Sequence, residues 1–192
     1  MNKQQLLETL NHYGIKVFSL NDIKILLPNE SYLATDLKRM ADNNVITRIA
    51  KGYYVLANFL VSSEEIAQKI YNPSYISFES ALYMYGIINQ GPNEIFLATT
   101  KRTKSIKILD TIVKFRHLKQ DLFFGFLLQK NIFIAEPEKA VLDTLYFYYK
   151  HETKVDVKAW YLKNLNLSKL KVYSTKFGRG FCKYLASQNL TD

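Results

Sequence analysis

Residues 48–56 read RIAKGYYVL, a basic residue and a Lys-Gly step set between β-prone runs. The runs Val45–Ile49 and Tyr53–Leu56, separated by Ala50-Lys51-Gly52, describe a hairpin. It constrains the chain because three helical patterns come before it. In Lys3–Tyr13, the side chains Leu6, Leu7, Leu10 and Tyr13 recur at helical spacing, and Gly14 follows where a C-terminal cap belongs. Ser19 or Asn21 caps a short second helix with Leu20, Ile23, Leu26 and Leu27 on its apolar side, and Pro28 stops it. Asn29 or Ser31 caps a third, in which Leu33, Leu37 and Met40 face inward with Ala34 and Ala41 beside them. Asn43-Asn44 ends that helix.

Three helices and then a basic hairpin is the order of a winged helix-turn-helix, assigned here to residues 1–58. In that arrangement the third helix enters the major groove of duplex DNA and the hairpin lies along the phosphates. The side of the third helix opposite its leucines carries Ser31, Tyr32, Thr35, Lys38 and Arg39. Polar side chains near a helix start reach base edges, and the helix dipole there favours phosphate, which suits Ser31, Tyr32 and Thr35. Lys38 and Arg39, a turn later, suit the backbone or a guanine edge, and Arg48 and Lys51 of the hairpin suit phosphate. The competing reading is an ordinary solvated helix face beside a hairpin that only closes the core.

Residues 59–192 form a second, larger α+β unit. A helix around 57–73 uses Ser62 or Ser63 as cap, with Glu64 or Glu65 completing a box and Ile66 and Ile70 inside. A short strand at Tyr75–Ser77 then leads into a helix through Tyr85 that ends at Gly86. Five β-prone runs follow at intervals of about ten residues: EIFLATT, KSIKIL, TIVKFRHL, LFFGFLLQ and NIFIA. Such spacing predicts an antiparallel or mixed sheet. EPEKAVLDTLYFYY reads as a helix with Pro137 in its first turn and a stripe of Ala140, Val141, Leu145 and Tyr148. Two further helices are expected over 155–164 and 168–188, the second interrupted by FGRG.

The 26 Lys and Arg against 17 Asp and Glu leave a net charge of +9, which favours an anionic partner. The excess lies mainly beyond residue 60, above all in 101–119 and 154–192. Residues 1–60 carry seven basic and five acidic side chains, a modest field for a DNA-binding unit. The run Lys101, Arg102, Lys104 and Lys107 is therefore a candidate to supplement it on nucleic acid, the alternative being lysines that guard a strand edge. The single cysteine, Cys182, excludes an internal disulfide framework and a cysteine-based zinc site. A polar MNKQQLLETL start and the lack of a long apolar run give the expectation of a cytoplasmic protein without membrane contact.

Two other classes compete with DNA binding. A metal-dependent nuclease would draw on Asp110, Glu136, Glu138 and Lys139, but Glu136 and Glu138 flank a proline at a helix start instead of lining one strand. His12, His117 and His151 are far apart and no nucleophile motif or phosphate-cradling glycine loop accompanies them. No catalysis, metal or cofactor is expected, and Glu79, Glu138 and Asp143 read as helix-start or buried hydrogen-bonding acids. A protein-interaction module would use Tyr83, Tyr85, Phe123, Phe124 and Phe126 as a contact surface, although such stripes usually pack in a core.

Three segments together carry a resemblance: ITRIAKGYYVL, then SYISFESALYMYGI with Ser77, Glu79, Ser80, Ala81 and Leu82, then IAEPEKAVLDTLY with Pro137–Asp143. In that order they resemble the AbiEi family of abortive-infection toxin–antitoxin systems, over residues 3 to about 150. Members commonly carry His-Gly where this chain has Tyr85-Gly86. The resemblance implies a winged helix that binds inverted repeats in its own promoter and represses it, as a monomer or weak dimer binding double-stranded DNA cooperatively. It implies a C-terminal antitoxin domain that counters a nucleotidyltransferase-like toxin in the type IV manner, without a stable complex.

Overall fold

Leu6 and Leu10, both fully buried, lie one turn apart on α1 (Lys3–His12). Asn2 Oδ1 accepts from the Gln5 amide at 2.8 Å and caps the helix start. At its end Gly14 takes φ +62°, and the Ile15 amide reaches back to the Leu10 carbonyl at 2.9 Å, a Schellman closure. A strand that the helical pattern did not suggest, β1 (Val17–Ser19), leads into α2 (Leu20–Leu26). Ser19 closes a reciprocal capping box there: its hydroxyl accepts from the Asp22 amide at 3.2 Å, and its amide donates to the Asp22 carboxylate at 2.7 Å. α3 (Leu33–Asp42) ends like α1, with Asn44 at φ +55° and the Val45 amide bonded to the Met40 carbonyl at 2.9 Å. β2 (Ile46–Ala50) and β3 (Tyr53–Leu56) then form the expected hairpin. Ala50 pairs with Tyr53, so the turn is Lys51-Gly52 alone.

The three strands make a sheet of order β1-β3-β2, antiparallel throughout. Leu6, Leu10, Phe18, Ile23, Leu33, Leu37 and Met40 pack with Ile46 and Leu56 into one core. Period 3.6 on the helices and period 2 on the strands bring these residues to a common side. α4 (Ser63–Ile70) follows, with Ser62 Oγ accepting from the Glu65 amide at 3.2 Å.

The second part is built from β4 (Ser74–Ile76), α5 (Phe78–Met84), β5 (Ile95–Thr99), β6 (Lys104–Ile108), β7 (Thr111–His117), β8 (Phe126–Gln129), β9 (Ile132–Ala135), α6 (Pro137–Lys150), α7 (Leu167–Ser174) and α8 (Arg179–Ser187). Its six strands run in the order β6-β7-β5-β4-β9-β8. β5 pairs with β7 and β4 with β9 in parallel, while β4–β5 and β8–β9 are antiparallel, so the sheet is mixed. α6 buries Ala140, Val141, Leu142 and Leu145.

This computed structural model describes residues 2–57, 60–151 and 156–188. The chain is α+β, with eight α-helices among the described residues. It divides into two compact units, residues 1–70 with 107–110, and residues 71–106 with 111–192. The boundary expected between residues 58 and 59 lies outside the described residues. Among the described residues no helix is long and apolar enough to cross a membrane.

Several expectations are corrected. The N-cap of α3 is Tyr32, in the left-handed region at φ +65° and without a side-chain cap, in place of Asn29 or Ser31. Ala34 is exposed, because it stands roughly 100° from the row of Leu33, Leu37 and Met40, and the buried flank is occupied by Asp36. Within LFFGFLLQ only Phe126–Gln129 is a strand, since Gly125 at φ +68° breaks the extended run. The helix expected over 155–164 reduces to a single 3-10 turn at Val157–Ala159, with Trp160 extended; residue 155 lies outside the described residues. Gly178, at φ +90°, separates α7 and its 3-10 extension from α8.

Candidate nucleic-acid interface

On a helix, residues three and four apart share a face. Burying Leu33, Leu37 and Met40 therefore turns Thr35, Lys38 and Arg39 of α3 outward, and all three are exposed. Ser31 and Tyr32 are exposed as well, but they stand just before the first helical residue and not inside the first turn. Tyr32 is 80% exposed and held at positive φ, a conformation that costs a non-glycine residue on the order of 1–3 kcal/mol. Asp36, almost buried, accepts from Arg39 Nη2 at 3.0 Å.

α3 packs against β2, and the hairpin adds two exposed cations, Arg48 and Lys51. The pairing of β2 with β3 slips between Arg48 and Ala50, a bulge beside the Lys51-Gly52 turn. Arg48 Nε donates to the Ala50 carbonyl at 3.4 Å across it. The first unit thus presents Tyr32, Thr35, Lys38, Arg39, Arg48 and Lys51 to solvent on α3 and the neighbouring hairpin. In the first turn of α2, burial pushes the Asp22 carboxyl up, but the Ser19 amide and hydroxyl together with Lys69 outweigh it and hold Asp22 below its ordinary value.

In the second unit Lys101, Arg102 and Lys104 are exposed where the chain enters the edge strand β6. Sequence reading missed the residue that organises them. Tyr71 donates its hydroxyl to the Arg102 carbonyl at 2.8 Å, and the ammonium groups of Lys101 and Lys104 lie 5.4 and 5.1 Å from its ring centre. Lys107 lies 3.6 Å from Asp110 at the following turn.

The carboxylates are engaged elsewhere. Lys139 and Asp143, one turn apart on α6, form an ion pair with neither side chain exposed. Tyr75 donates to Asp143 at 2.9 Å and Ser77 at 2.7 Å, while Lys139 Nζ also donates to the Tyr75 hydroxyl at 2.9 Å. Burial drives both charges toward neutrality, raising Asp143 and lowering Lys139, and their mutual attraction opposes it. Glu79 joins Arg116 at 2.6 Å to Tyr148 at 2.7 Å. Burial, then the Glu79 bond, pushes the Tyr148 phenol up to about 12. Glu136 accepts from Lys169 and Tyr173, each at 2.6 Å, and Glu138 accepts from the Asn166 amide at 2.9 Å.

Asp110, Glu136, Glu138 and Lys139 are therefore not assembled into one site: Asp110 is exposed on the β6–β7 turn and Lys139 is sealed in the core. Nor do the five aromatics make one surface. Tyr83 is exposed, whereas Phe123 and Phe126 pack on Tyr75, Phe124 packs on Tyr173, and Tyr85 donates to the Ala135 carbonyl at 2.9 Å. Comparison with protein-family models gave no match, and comparison with curated proteins gave none.

Proposed function

We propose that this chain is a DNA-binding transcriptional autorepressor and the antitoxin of a type IV toxin–antitoxin system, as its resemblance to the AbiEi family implies. In this reading the first unit is a winged helix-turn-helix. The order helix, strand, two helices and hairpin supports it, because a short first strand completing the hairpin's sheet is what such a fold requires. The observation that carries the reading is the exposed polar side of α3, with Thr35, Lys38 and Arg39, next to a hairpin offering Arg48 and Lys51. α3 is read as the groove-entering helix, with Tyr32 and Ser31 at its mouth, and the hairpin as a phosphate contact. Lys101, Arg102 and Lys104 are read as additional phosphate contacts from the second unit. That unit is read as the antitoxin domain, acting against a nucleotidyltransferase-like toxin without a lasting complex.

Footprinting of the purified chain on its own upstream region tests the first half, repeated with Thr35→Ala, Lys38→Ala and Arg39→Ala. Paired protected half-sites that vanish in the variants support it, and protection that persists in all three removes α3 from the interface. Co-expression with the product of the neighbouring gene tests the second half. Growth rescue without co-elution is the expected result, and co-elution in gel filtration would favour a direct protein-interaction role.

A further inference from the structure

The second unit holds a cavity that the DNA reading does not use. It has a volume of about 340 Å³ and is lined by Thr103, His117, Leu118, Lys119, Tyr146, Phe147, Lys150 and His151. Small-molecule sites occupy roughly 300–1,000 Å³, with apolar and aromatic walls and a few converging polar groups. This cavity has that make-up. Of its lining residues, Leu118 is buried and Tyr146 and Phe147 are half-buried, while Lys119, Lys150, His117 and His151 are exposed. No carboxylate is among these lining residues.

The lysines and histidines come from the end of β7 with the residues after it, and from the end of α6. His117 ends β7, where its backbone amide donates to Thr103 Oγ1 at 3.3 Å. Its Nδ1 lies 3.0 Å from the Lys101 carbonyl oxygen, which can only accept, so Nδ1–H donates and Nε2 is the nitrogen left for another partner. Lys150 and His151 come from the end of α6, with the His151 ring centre 4.3 Å from that of Phe147. Phe147 is backed by Arg116, whose guanidinium sits 4.1 Å from the ring centre and is neutralised by Glu79. Phe147 is thus packed from behind, and Arg116 is already paired with Glu79.

We infer that this cavity is a binding site for a nucleoside monophosphate, with the phosphate held by Lys119 and Lys150, and the base against Tyr146 and Phe147. Lysine ammonium groups on a rim with no carboxylate among the described lining residues select an anion, and a ring wall selects an aromatic one. A volume at the low end of the small-molecule range suits a mononucleotide and not a dinucleotide. The inference does not rest on the proposed operator binding, which is assigned to other residues, so either can fail alone.

Calorimetric titration of the full chain with adenosine and guanosine monophosphate, ribose 5-phosphate and inorganic phosphate tests it. The expected result is saturable binding of a monophosphate, with ribose 5-phosphate weaker by about tenfold or more, since stacking of one base contributes about 1–3 kcal/mol. The double variant Lys119→Glu with Lys150→Glu, both exposed, should lose at least about tenfold through the missing charged hydrogen bonds. A control pair, Lys158→Glu with Lys163→Glu, changes net charge equally and should bind like the unmodified chain. Equal binding of ribose 5-phosphate and nucleotide, an unaffected Lys119/Lys150 variant, or no saturable binding of any monophosphate would each overturn the assignment.

Discussion

Arg39 Nη2 lies 3.0 Å from Asp36 Oδ1, and the pair is lopsided: the arginine side chain is 64% exposed and the aspartate side chain 13%. Such a pair contributes little to folding, about 0–1 kcal/mol, but it fixes where the guanidinium starts from. Under the proposed DNA reading, Arg39→Ala should weaken operator binding by about 1–3 kcal/mol if it reads a base edge, and relax the preference for operator over scrambled duplex. A phosphate contact would instead weaken both duplexes alike. Fluorescence anisotropy on the two duplexes separates the cases, and an unchanged affinity for both would take Arg39 out of the interface.

The capping box at Ser19 makes a prediction that needs no functional assumption. Ser19→Ala should destabilise the first unit by about 1 kcal/mol in urea denaturation at neutral pH. Asp22, the other half of the box, is held below its ordinary value of 3.8 in the folded chain. A depressed folded value means that Asp22 adds stability above the unfolded value, and that this is lost as the pH falls through the folded one. Asp22→Asn should therefore cost stability at pH 7 and lose most of that cost below the ordinary carboxylate range. A constant difference between the two proteins from pH 7 down to about pH 3 would show that the charge of Asp22 is irrelevant.

These residues also show what the sequence disclosed. Ser19 before a leucine-rich turn, Gly14 and Asn44 after the last apolar position, and Lys51-Gly52 between β-prone runs are local signals, and each marks an element where the structure has one. The core of the first unit was legible for the same reason, since period alone selects Leu6, Leu10, Leu37 and Met40. Strand β1 was not legible, because three residues are too few for a period and its pairing with β3 is a long-range event. The helix expected over 155–164 failed in the opposite direction: local propensity suggested it, and only a 3-10 turn formed. Tyr32 as N-cap was hidden because a left-handed tyrosine has no sequence signature. Burial of Lys139 and Asp143 was only half visible. A buried hydrogen-bonding role was expected for Asp143, but Lys139 was not expected as its partner, and the enclosing Tyr75 and Ser77 come from more than 60 residues earlier.

Lys139 and Asp143 themselves support a double-variant test. Removing one partner of a buried pair leaves an uncompensated charge, so Lys139→Met should destabilise the second unit by about 3–5 kcal/mol. Replacing both, Lys139→Met with Asp143→Leu, should recover a large part of that loss. In the single variant Asp143 can escape its penalty by taking up a proton, which burial already favours, so the deficit of Lys139→Met should shrink as the pH is lowered. Chemical denaturation of both variants at two pH values measures this, and a double variant no more stable than the single one would mean that the surrounding packing, and not the charge, sets the cost.

Lys101 and Arg102 separate the two roles open to the basic run. Both are exposed, and the Lys101 ammonium is held near the Tyr71 ring, a placement that serves either a guarded sheet edge or a phosphate contact. Counterion release distinguishes them, because each phosphate neutralised adds about 0.9 to the slope of log affinity against log salt on B-form DNA. If both side chains meet phosphates, Lys101→Glu with Arg102→Glu should weaken operator binding and flatten that slope by about two. The same change should leave the melting temperature nearly unaltered, since neither side chain is buried. An unchanged slope, together with new self-association of the variant, would assign the run to protecting β6, and the attraction for DNA would then rest on α3 and the hairpin alone.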